Sequence, residues 1–122
     1  MPIPVIQQNE PHSQTVTIAA GASLSGAARL PNGHELAAII MPAAWTAGGI
    51  TFQAGPTAAD LANVFIAAGT EYALVVVATN YVPIPPGTIH GALFLKVRSG
   101  TSGTPVTQAA ERTITLITRP SA

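Results

Sequence analysis

Short runs of alternating apolar and polar residues, separated by turn-forming residues about every ten positions, constrain the fold of this chain most. In the clearest run, residues 91–99, the side chains of Leu93, Leu95 and Val97 share one face of an extended segment. Roughly seven to nine such runs occur, and they do not alternate with helical patterns. The spacing therefore predicts an all-β fold, an antiparallel sandwich of about eight strands.

Two further runs mark the ends of the predicted domain. Residues 14–20 alternate, as do residues 112–118, where Ile114 and Leu116 face inward between threonines. The length of 122 residues is typical of one domain and allows a sizeable core without covalent cross-links. The chain contains no cysteine, so neither disulfides nor thiolate metal sites are available to it. We assign residues 14–122 to a single β-sandwich domain.

Residues 36–55 form the most apolar part of the chain and contain its only tryptophan, Trp45. Two apolar runs in this stretch predict adjacent core strands at 36–42 and 49–54, joined over Trp45. The first run lacks alternation, which is typical of a strand that is covered on both faces. Trp45 is therefore predicted to pack in the core and not to present its ring to a ligand.

The segment that follows is less regular. Thr57 and Asp60 have the spacing of a capping box, which predicts a short helical turn at 57–62, followed by a short strand at 63–66. Residues 71–79 contain three consecutive valines, and this β-branched content predicts a buried strand.

Residues 1–13 contain three prolines, which fix the backbone and remove hydrogen-bond donors. They predict an extended N-terminal arm and not a packed element. Its apolar side chains, Ile3, Val5 and Ile6, need a surface to cover. Two alternatives stay open: the arm docks on a neighbouring molecule, or it folds back along its own domain.

Charged residues are scarce. Five Lys or Arg and five Asp or Glu make up 8 % of the chain, and the net charge is zero, whereas an ordinary soluble domain is about 25 % charged. A protein with so few charges and no net charge associates readily. The composition is compatible with a neutral surface rich in Ser and Thr, but it favours a surface that is largely covered by other subunits.

No arrangement of residues indicates catalysis. The histidines His12, His34 and His90 are far apart in the sequence and lack the short spacing of a zinc site. Asp60 is the only aspartate, and no serine lies in a G-x-S-x-G turn. We therefore expect no enzymatic activity and no metal or other cofactor.

The strongest cluster of functional side chains is Phe94, Lys96 and Arg98, which share one face of a predicted strand. Cations interleaved with an aromatic residue are typical of nucleic-acid sites, but so few cations on a neutral protein make a weak site for a polyanion. We expect these residues to contact acids of a neighbouring subunit and not nucleic acid. No apolar run is long enough for a membrane helix, and the N terminus lacks the basic start of a signal peptide. We therefore expect synthesis in a cytoplasm and no membrane association.

Three segments carry a resemblance to a known family: residues 39–53, 94–100 and 108–116. Together they resemble small virion structural proteins of tailed phages and prophages, over most of residues 15–120. They are also similar to galactose-binding-like jelly rolls, in which Ile50-Thr-Phe-Gln-Ala54 and Phe94-Leu-Lys-Val-Arg-Ser-Gly100 have counterparts. The usual Ser-x-Asp turn of those proteins is replaced here by Gly55-Pro56-Thr57, and Leu93 stands where an arginine is common.

The resemblance implies a jelly-roll fold, a place in the virion and no cofactor. It implies a capsid decoration, cement or head-fibre-base subunit made in a bacterial cytoplasm, whose partners are the major capsid protein and like subunits, with a trimer as one arrangement. The residues expected to bind partners are Ile3, Val5 and Ile6 of the arm, and Phe94, Lys96 and Arg98 of the sandwich. The alternative is a carbohydrate-binding or receptor-binding module of a tail or fibre, which would expose Trp45, Tyr72 or Tyr81. A tail-tube or baseplate component would differ from the first hypothesis only in its partner.

Overall fold

A computed structural model describes residues 11–66 and 69–121 of the chain. The apolar residues of the predicted arm, Ile3, Val5 and Ile6, lie outside the described residues. The first strand of the described residues is His12–Ile18, and its first two residues, His12 and Ser13, belong to the part of the sequence predicted as arm.

The described residues form eight strands and no helix. In chain order the strands are β1 (His12–Ile18), β2 (Ala28–Arg29), β3 (His34–Ile40), β4 (Ile50–Thr57), β5 (Asp60–Asn63), β6 (Tyr81–Pro83), β7 (Phe94–Ser99) and β8 (Arg112–Pro120). They make two four-stranded antiparallel sheets, the first in the order β1-β8-β3-β6 and the second in the order β2-β7-β4-β5. The predicted all-β sandwich is confirmed.

The strand pairing is nested. Strand β1 pairs with β8, β2 with β7, β3 with β6 and β4 with β5, so the chain runs out and back as one long antiparallel ribbon. Two further pairs, β8 with β3 and β7 with β4, join the halves of the ribbon into the two sheets. Most of these contacts connect residues far apart in sequence, and such pairings can form only after the long loops between them have closed.

The core lies between the two sheets. Its largest fully buried side chains include Phe52 and Leu95 from the second sheet and Ile39, Ile114 and Leu116 from the first. Burial of each such side chain contributes about 1.5–3 kcal/mol. The inward faces predicted for β7 and β8 are confirmed, because Leu95 and Val97 are buried, as are Ile114 and Leu116.

The prediction that strands 36–42 and 49–54 are adjacent is wrong. These runs correspond to β3 and β4, which belong to different sheets and both contribute side chains to the core. Both runs are apolar because both are buried, and burial does not specify which strand is the neighbour. The connection over Trp45 instead crosses between the sheets. Trp45 packs against the core as predicted, and its indole N–H donates to the carbonyl oxygen of Gly48 at 3.0 Å.

The predicted helical turn at 57–62 is also wrong. Strands β4 and β5 form a hairpin in which Thr57 faces Asp60 across the turn. Residues 61–63 continue as a strand because they pair with β4, and this sheet pairing outweighs the local capping signal. The predicted strand at 63–66 is shifted: β5 ends at Asn63, and Phe65 makes an isolated bridge to Glu71.

Residues 71–79 do not form the buried strand that was predicted. The segment is extended and joins the edges of the two sheets: Leu74 bridges to Ile50 of β4, and the Thr79 N–H donates to the carbonyl oxygen of Pro42 at 2.9 Å. Its side chains alternate between half-buried and exposed, and Val75 is 91 % exposed. The valines favour an extended backbone, as expected, but no strand of the described chain covers their outer side.

Thr79 is the only residue other than glycine with a positive φ within the described ranges, at 67°. The Asn80 N–H donates to the Val77 carbonyl at 3.2 Å, so Thr79 occupies the turn position that favours glycine. A β-branched residue there is strained by about 1–3 kcal/mol.

We expect Thr79→Gly to raise the free energy of unfolding by about 1 kcal/mol, because relief of the strain exceeds the entropic cost of glycine. Urea denaturation of the two proteins measures the difference. Thr107→Gly is the matched control, since Thr107 is exposed and has an ordinary φ, and this change should lower stability. A loss of stability in both variants would show that Thr79 is not strained.

Candidate functional site

The described residues contain no group of three or more His, Cys, Asp or Glu side chains that could hold a metal ion. The fold does bring together two histidines that are distant in sequence: the rings of His12 and His34 meet edge to face at a centroid distance of 5.0 Å. His90 lies apart from them, with Nδ1 4.0 Å from the carboxylate of Glu35. His34 also lies beside a hydroxyl, that of Thr118, but both side chains are buried and closed to a substrate.

The environment of His34 makes stability depend on pH. Burial lowers the pKa of His34 below its usual value, and the neighbouring charge of His12 lowers it further. The His34 Nδ1 lies 3.2 Å from the Thr118 hydroxyl. The unfolded chain therefore binds more protons at this residue than the folded chain once the pH falls below about 6.5.

We expect the free energy of unfolding to decrease as the pH falls from 7 towards 5. His34→Gln should flatten this dependence, because glutamine retains hydrogen-bonding capacity and does not titrate. His12→Gln should flatten it only in part, since burial is the larger cause of the shift. Denaturant titrations at several pH values provide the measurement. If the free energy of unfolding of His34→Gln falls with pH as steeply as that of the wild type, His34 is not the cause of the pH dependence.

Phe94, Lys96 and Arg98 share the outer face of the second sheet, as the alternation predicts, but they differ in availability. Phe94 and Lys96 are half-buried, whereas Arg98 is 7 % exposed. Phe94 lies opposite Gly55 of β4, and Lys96 lies opposite Gln53. Of the three, Phe94 and Lys96 retain surface that another molecule could contact.

Arg98 is engaged within its own chain. Its guanidinium donates to the Glu71 carboxylate at 3.3 Å and to the Asn63 side-chain oxygen at 2.8 Å. The Glu71 carboxylate also accepts from the backbone N–H and the hydroxyl of Ser102, at 3.0 and 3.1 Å. This partly buried network joins the end of β5, β7 and the loop after β7. Arg98 was expected to pair with acids of a neighbouring subunit, but Glu71 supplies that charge internally.

The most distinctive exposed surface is apolar and was missed from the sequence. We call it the apolar ridge: Phe65, Ile66, Val75, Val77 and Tyr81, which are 52, 45, 91, 59 and 60 % exposed. Val75 and Val77 lie in the segment that joins β4 to the end of β3, Phe65 and Ile66 precede that segment, and Tyr81 follows it as the first residue of β6. Two features of the sequence could have revealed the ridge. Residues 72–80 contain no charged residue and no proline, and their three consecutive valines place apolar side chains on both faces of an extended segment.

The aromatic side chains are unequally available. The Tyr72 ring stacks on Phe52 at a centroid distance of 6.2 Å, and burial raises the pKa of its hydroxyl. Trp45 is half-buried, with its N–H engaged by Gly48. Tyr81 is the aromatic residue of the three that presents most of its surface.

Two clefts open on the surface. The larger, of about 300 Å³, lies between the β4 residues Ala54–Pro56 and the loop 88–92, and most of its lining residues are small or apolar, with Thr88 and His90 as the polar ones. The smaller, of about 170 Å³, is lined by Pro11, Ala37, Tyr81, Ile117 and Arg119.

Within residues 11–66 and 69–121, no helix is long and apolar enough to cross a membrane. Comparisons with protein-family models, with curated proteins and with solved structures find no match to this chain.

Proposed function

We propose that the chain is a non-enzymatic structural subunit of a tailed-phage virion, a capsid decoration or cement protein that binds the assembled head and stabilises it. The apolar ridge is the observation that carries this proposal. A monomeric protein seldom leaves a side chain such as Val75 91 % exposed beside other apolar residues. The scarcity of charge supports the same interpretation, because little on the surface opposes association.

The nested strand pairing supports the finer proposal that the sandwich is a jelly roll. Folding a ribbon that pairs β1 with β8 and β4 with β5 produces two four-stranded antiparallel sheets of the kind found in jelly rolls. Jelly rolls occur in viral capsid domains and in lectins. The fold class alone does not specify function, so this support is an analogy.

The proposed mechanism is stabilisation by preferential binding. A subunit that binds the closed lattice and not the free capsid protein shifts the equilibrium towards the lattice by mass action. Apolar surface such as the ridge supplies binding energy, at about 25 cal/mol for each Å² removed from water. The proposed partners are the major capsid protein and further copies of this chain. Because Arg98 is already paired with Glu71, we propose no nucleic-acid partner.

The location of the chain in purified particles tests this function. Particles would be purified by density gradient from a lysate of the strain that encodes the sequence, and the chain would be quantified by mass spectrometry. We expect it to sediment with the major capsid protein at a fixed ratio, in fractions that contain heads without tails. Its recovery only from unsedimented protein, or only with isolated tails, would contradict the proposal.

Exposure of Tyr81 favours a second candidate, a carbohydrate-binding or receptor-binding module. Its ring lies at the smaller cleft beside Arg119, where a sugar could stack and an acidic group could pair. A glycan array with the wild-type protein and Tyr81→Ala tests this function. Binding that is lost in the variant would favour it over a decoration protein.

A further inference from the structure

We propose that residues 75–78 form a docking edge that accepts the Ile3–Ile6 segment of a second copy of this chain as an added strand. This inference rests on the proposed function, because it names the surface by which one subunit engages its neighbour. We call residues 75–78 the docking edge. The segment has two exposed valines, N–H groups that donate to no acceptor among the described residues, and a suitable occupant.

Part of the backbone of the docking edge is available for pairing. The carbonyl groups of Val77 and Ala78 already accept, from the Asn80 N–H and the Thr79 hydroxyl, in the turn that ends the edge. Leu74 exchanges hydrogen bonds with Ile50, and the Thr79 N–H donates to Pro42, so both ends of the edge are fixed. Between them, no N–H group of residues 75–78 donates to an acceptor within the described ranges. Exposed N–H and C=O groups on an extended segment are a template for another strand.

The side chains of the edge favour an apolar strand. Val75 and Val77 point outward, whereas Val76 packs against the core and holds the segment in place. Natural edges are usually protected by charges, prolines or bulges. No residue from 72 to 80 is charged or proline, so the edge lacks these forms of protection.

The N-terminal arm has the complementary pattern. Ile3 and Val5 alternate with Pro4, so the two apolar side chains would share one face of an added strand. When Ile3 and Val5 pair with the docking edge, the backbone of Pro4 faces the opposite edge of the added strand. The N–H that proline lacks is therefore not needed for this pairing. The prolines also restrict the unbound arm, which lowers the entropic cost of docking.

Chain length indicates that the arm comes from a second copy. One row of paired residues crosses the first sheet from β1 to β6: Thr15, Thr115, Ile40 and Tyr81. Thr15 and Tyr81 therefore lie on the two outer strands. Pro11 lies on one side of this row, whereas the chain before Tyr81 continues past Pro42 on the other side.

The resulting separation exceeds the reach of the arm. With strands about 4.8 Å apart and a rise of about 3.3 Å per residue, the docking edge lies about 25 Å from Pro11. Ile6 is five residues from Pro11 and can extend at most about 18 Å from it. The Ile3–Ile6 segment therefore cannot lie along its own docking edge, whereas the segment of a neighbour can.

Disulfide trapping tests the proposal directly, because the natural chain contains no cysteine. Full-length Val5→Cys and Val77→Cys proteins would be mixed under oxidising conditions, and their heterodimer quantified by mass spectrometry. We expect about tenfold more heterodimer than with Val5→Cys and Ala58→Cys, because docking raises the local thiol concentration. Ala58 is a matched control, since it is exposed at the tip of the β4–β5 hairpin, away from the edge.

Three results would overturn the proposal. They are equal trapping at Val77 and Ala58, an intramolecular disulfide in the Val5→Cys/Val77→Cys double variant, and Val77→Cys homodimers that outnumber the heterodimer. Sedimentation velocity gives a second measurement: deletion of residues 2–10 should shift wild-type oligomers towards monomer, and unchanged oligomers would contradict arm docking. These experiments use purified protein and test only the docking of the arm. The presence of the chain in virions is tested separately, so the two proposals can fail independently.

Discussion

Gly100→Ala is expected to lower the free energy of unfolding by about 3 kcal/mol or more. Gly100 follows β7 and has a φ of 86°, a conformation that L side chains rarely adopt. A Cβ atom at this position would lie 2.6 Å from both the Thr104 carbonyl oxygen and the Val106 backbone nitrogen. Both contacts are with backbone, so no side-chain rotation can relieve them.

The surroundings of Gly100 cannot move without breaking further hydrogen bonds. Its N–H donates to the Gly49 carbonyl at 2.8 Å, and its own carbonyl accepts from the buried Thr51 hydroxyl at 2.8 Å. A buried polar group that loses its partner costs about 1–3 kcal/mol. The added methyl group therefore strains the backbone and also weakens the hydrogen bonds that join the start of β4 to the end of β7.

Gly87→Ala is the matched control, because Gly87 has a φ of 83° but open space where the Cβ would lie. Gly87→Ala should lower the free energy of unfolding by about 1 kcal/mol, which is the cost of the positive φ alone. Urea denaturation gives the free energy of unfolding of both variants, and the difference between their losses measures the cost of the steric clash at Gly100. Equal losses at the two positions would contradict the close backbone approach at Gly100.

Arg98→Ala is expected to lower the free energy of unfolding by about 3 kcal/mol, because it leaves the Glu71 carboxylate buried without its cation. The side chains of Arg98 and Glu71 are 9 and 12 % exposed, so water cannot replace the lost contact in full. Asn63 and Thr51 lose a donor in the same variant.

Lys96→Ala is the control on the same strand and the same face. Its side chain is half-buried and makes no ion pair among the described residues, so its removal should change stability by less than about 0.5 kcal/mol. If Lys96 contacts a partner, as predicted from the sequence, the variant should weaken self-association or head binding instead. Equal destabilisation by the two variants would contradict an internal role that is specific to Arg98.

The parts of the fold that local pattern determines could be predicted from the sequence. Strands β1, β7 and β8 alternate because each has one face in the core, and the buried faces agree with the prediction. The adjacency predicted for strands 36–42 and 49–54 and the helical turn predicted at 57–62 were wrong, because the tertiary fold determines which strands pair. Apolar runs in β3 and β4 report burial, and the signal for a helical turn at Thr57 is weaker than hairpin pairing.

The candidate site was harder to predict for the same reason. The valines at 75–77 resemble a core strand in composition, and only the three-dimensional arrangement reveals that their outer side is uncovered. Likewise, the charge of Arg98 is visible in the sequence, but Glu71 is distant along the chain and its contact could not be inferred. Gln108, placed in a loop by its neighbours, is 1 % exposed and bonds to Ser99 and Thr46.

The central claim, that the chain binds assembled heads and stabilises them, is tested most directly by calorimetry of phage heads with and without it. Heads stripped of the chain would be compared with the same heads after addition of purified wild-type protein. We predict saturable binding at a fixed copy number and a higher transition temperature for the redecorated heads, with about 2.7 kcal/mol of stabilisation per site at a hundredfold excess over the Kd. Heads that bind no protein, or that melt at an unchanged temperature when saturated, would contradict the claim.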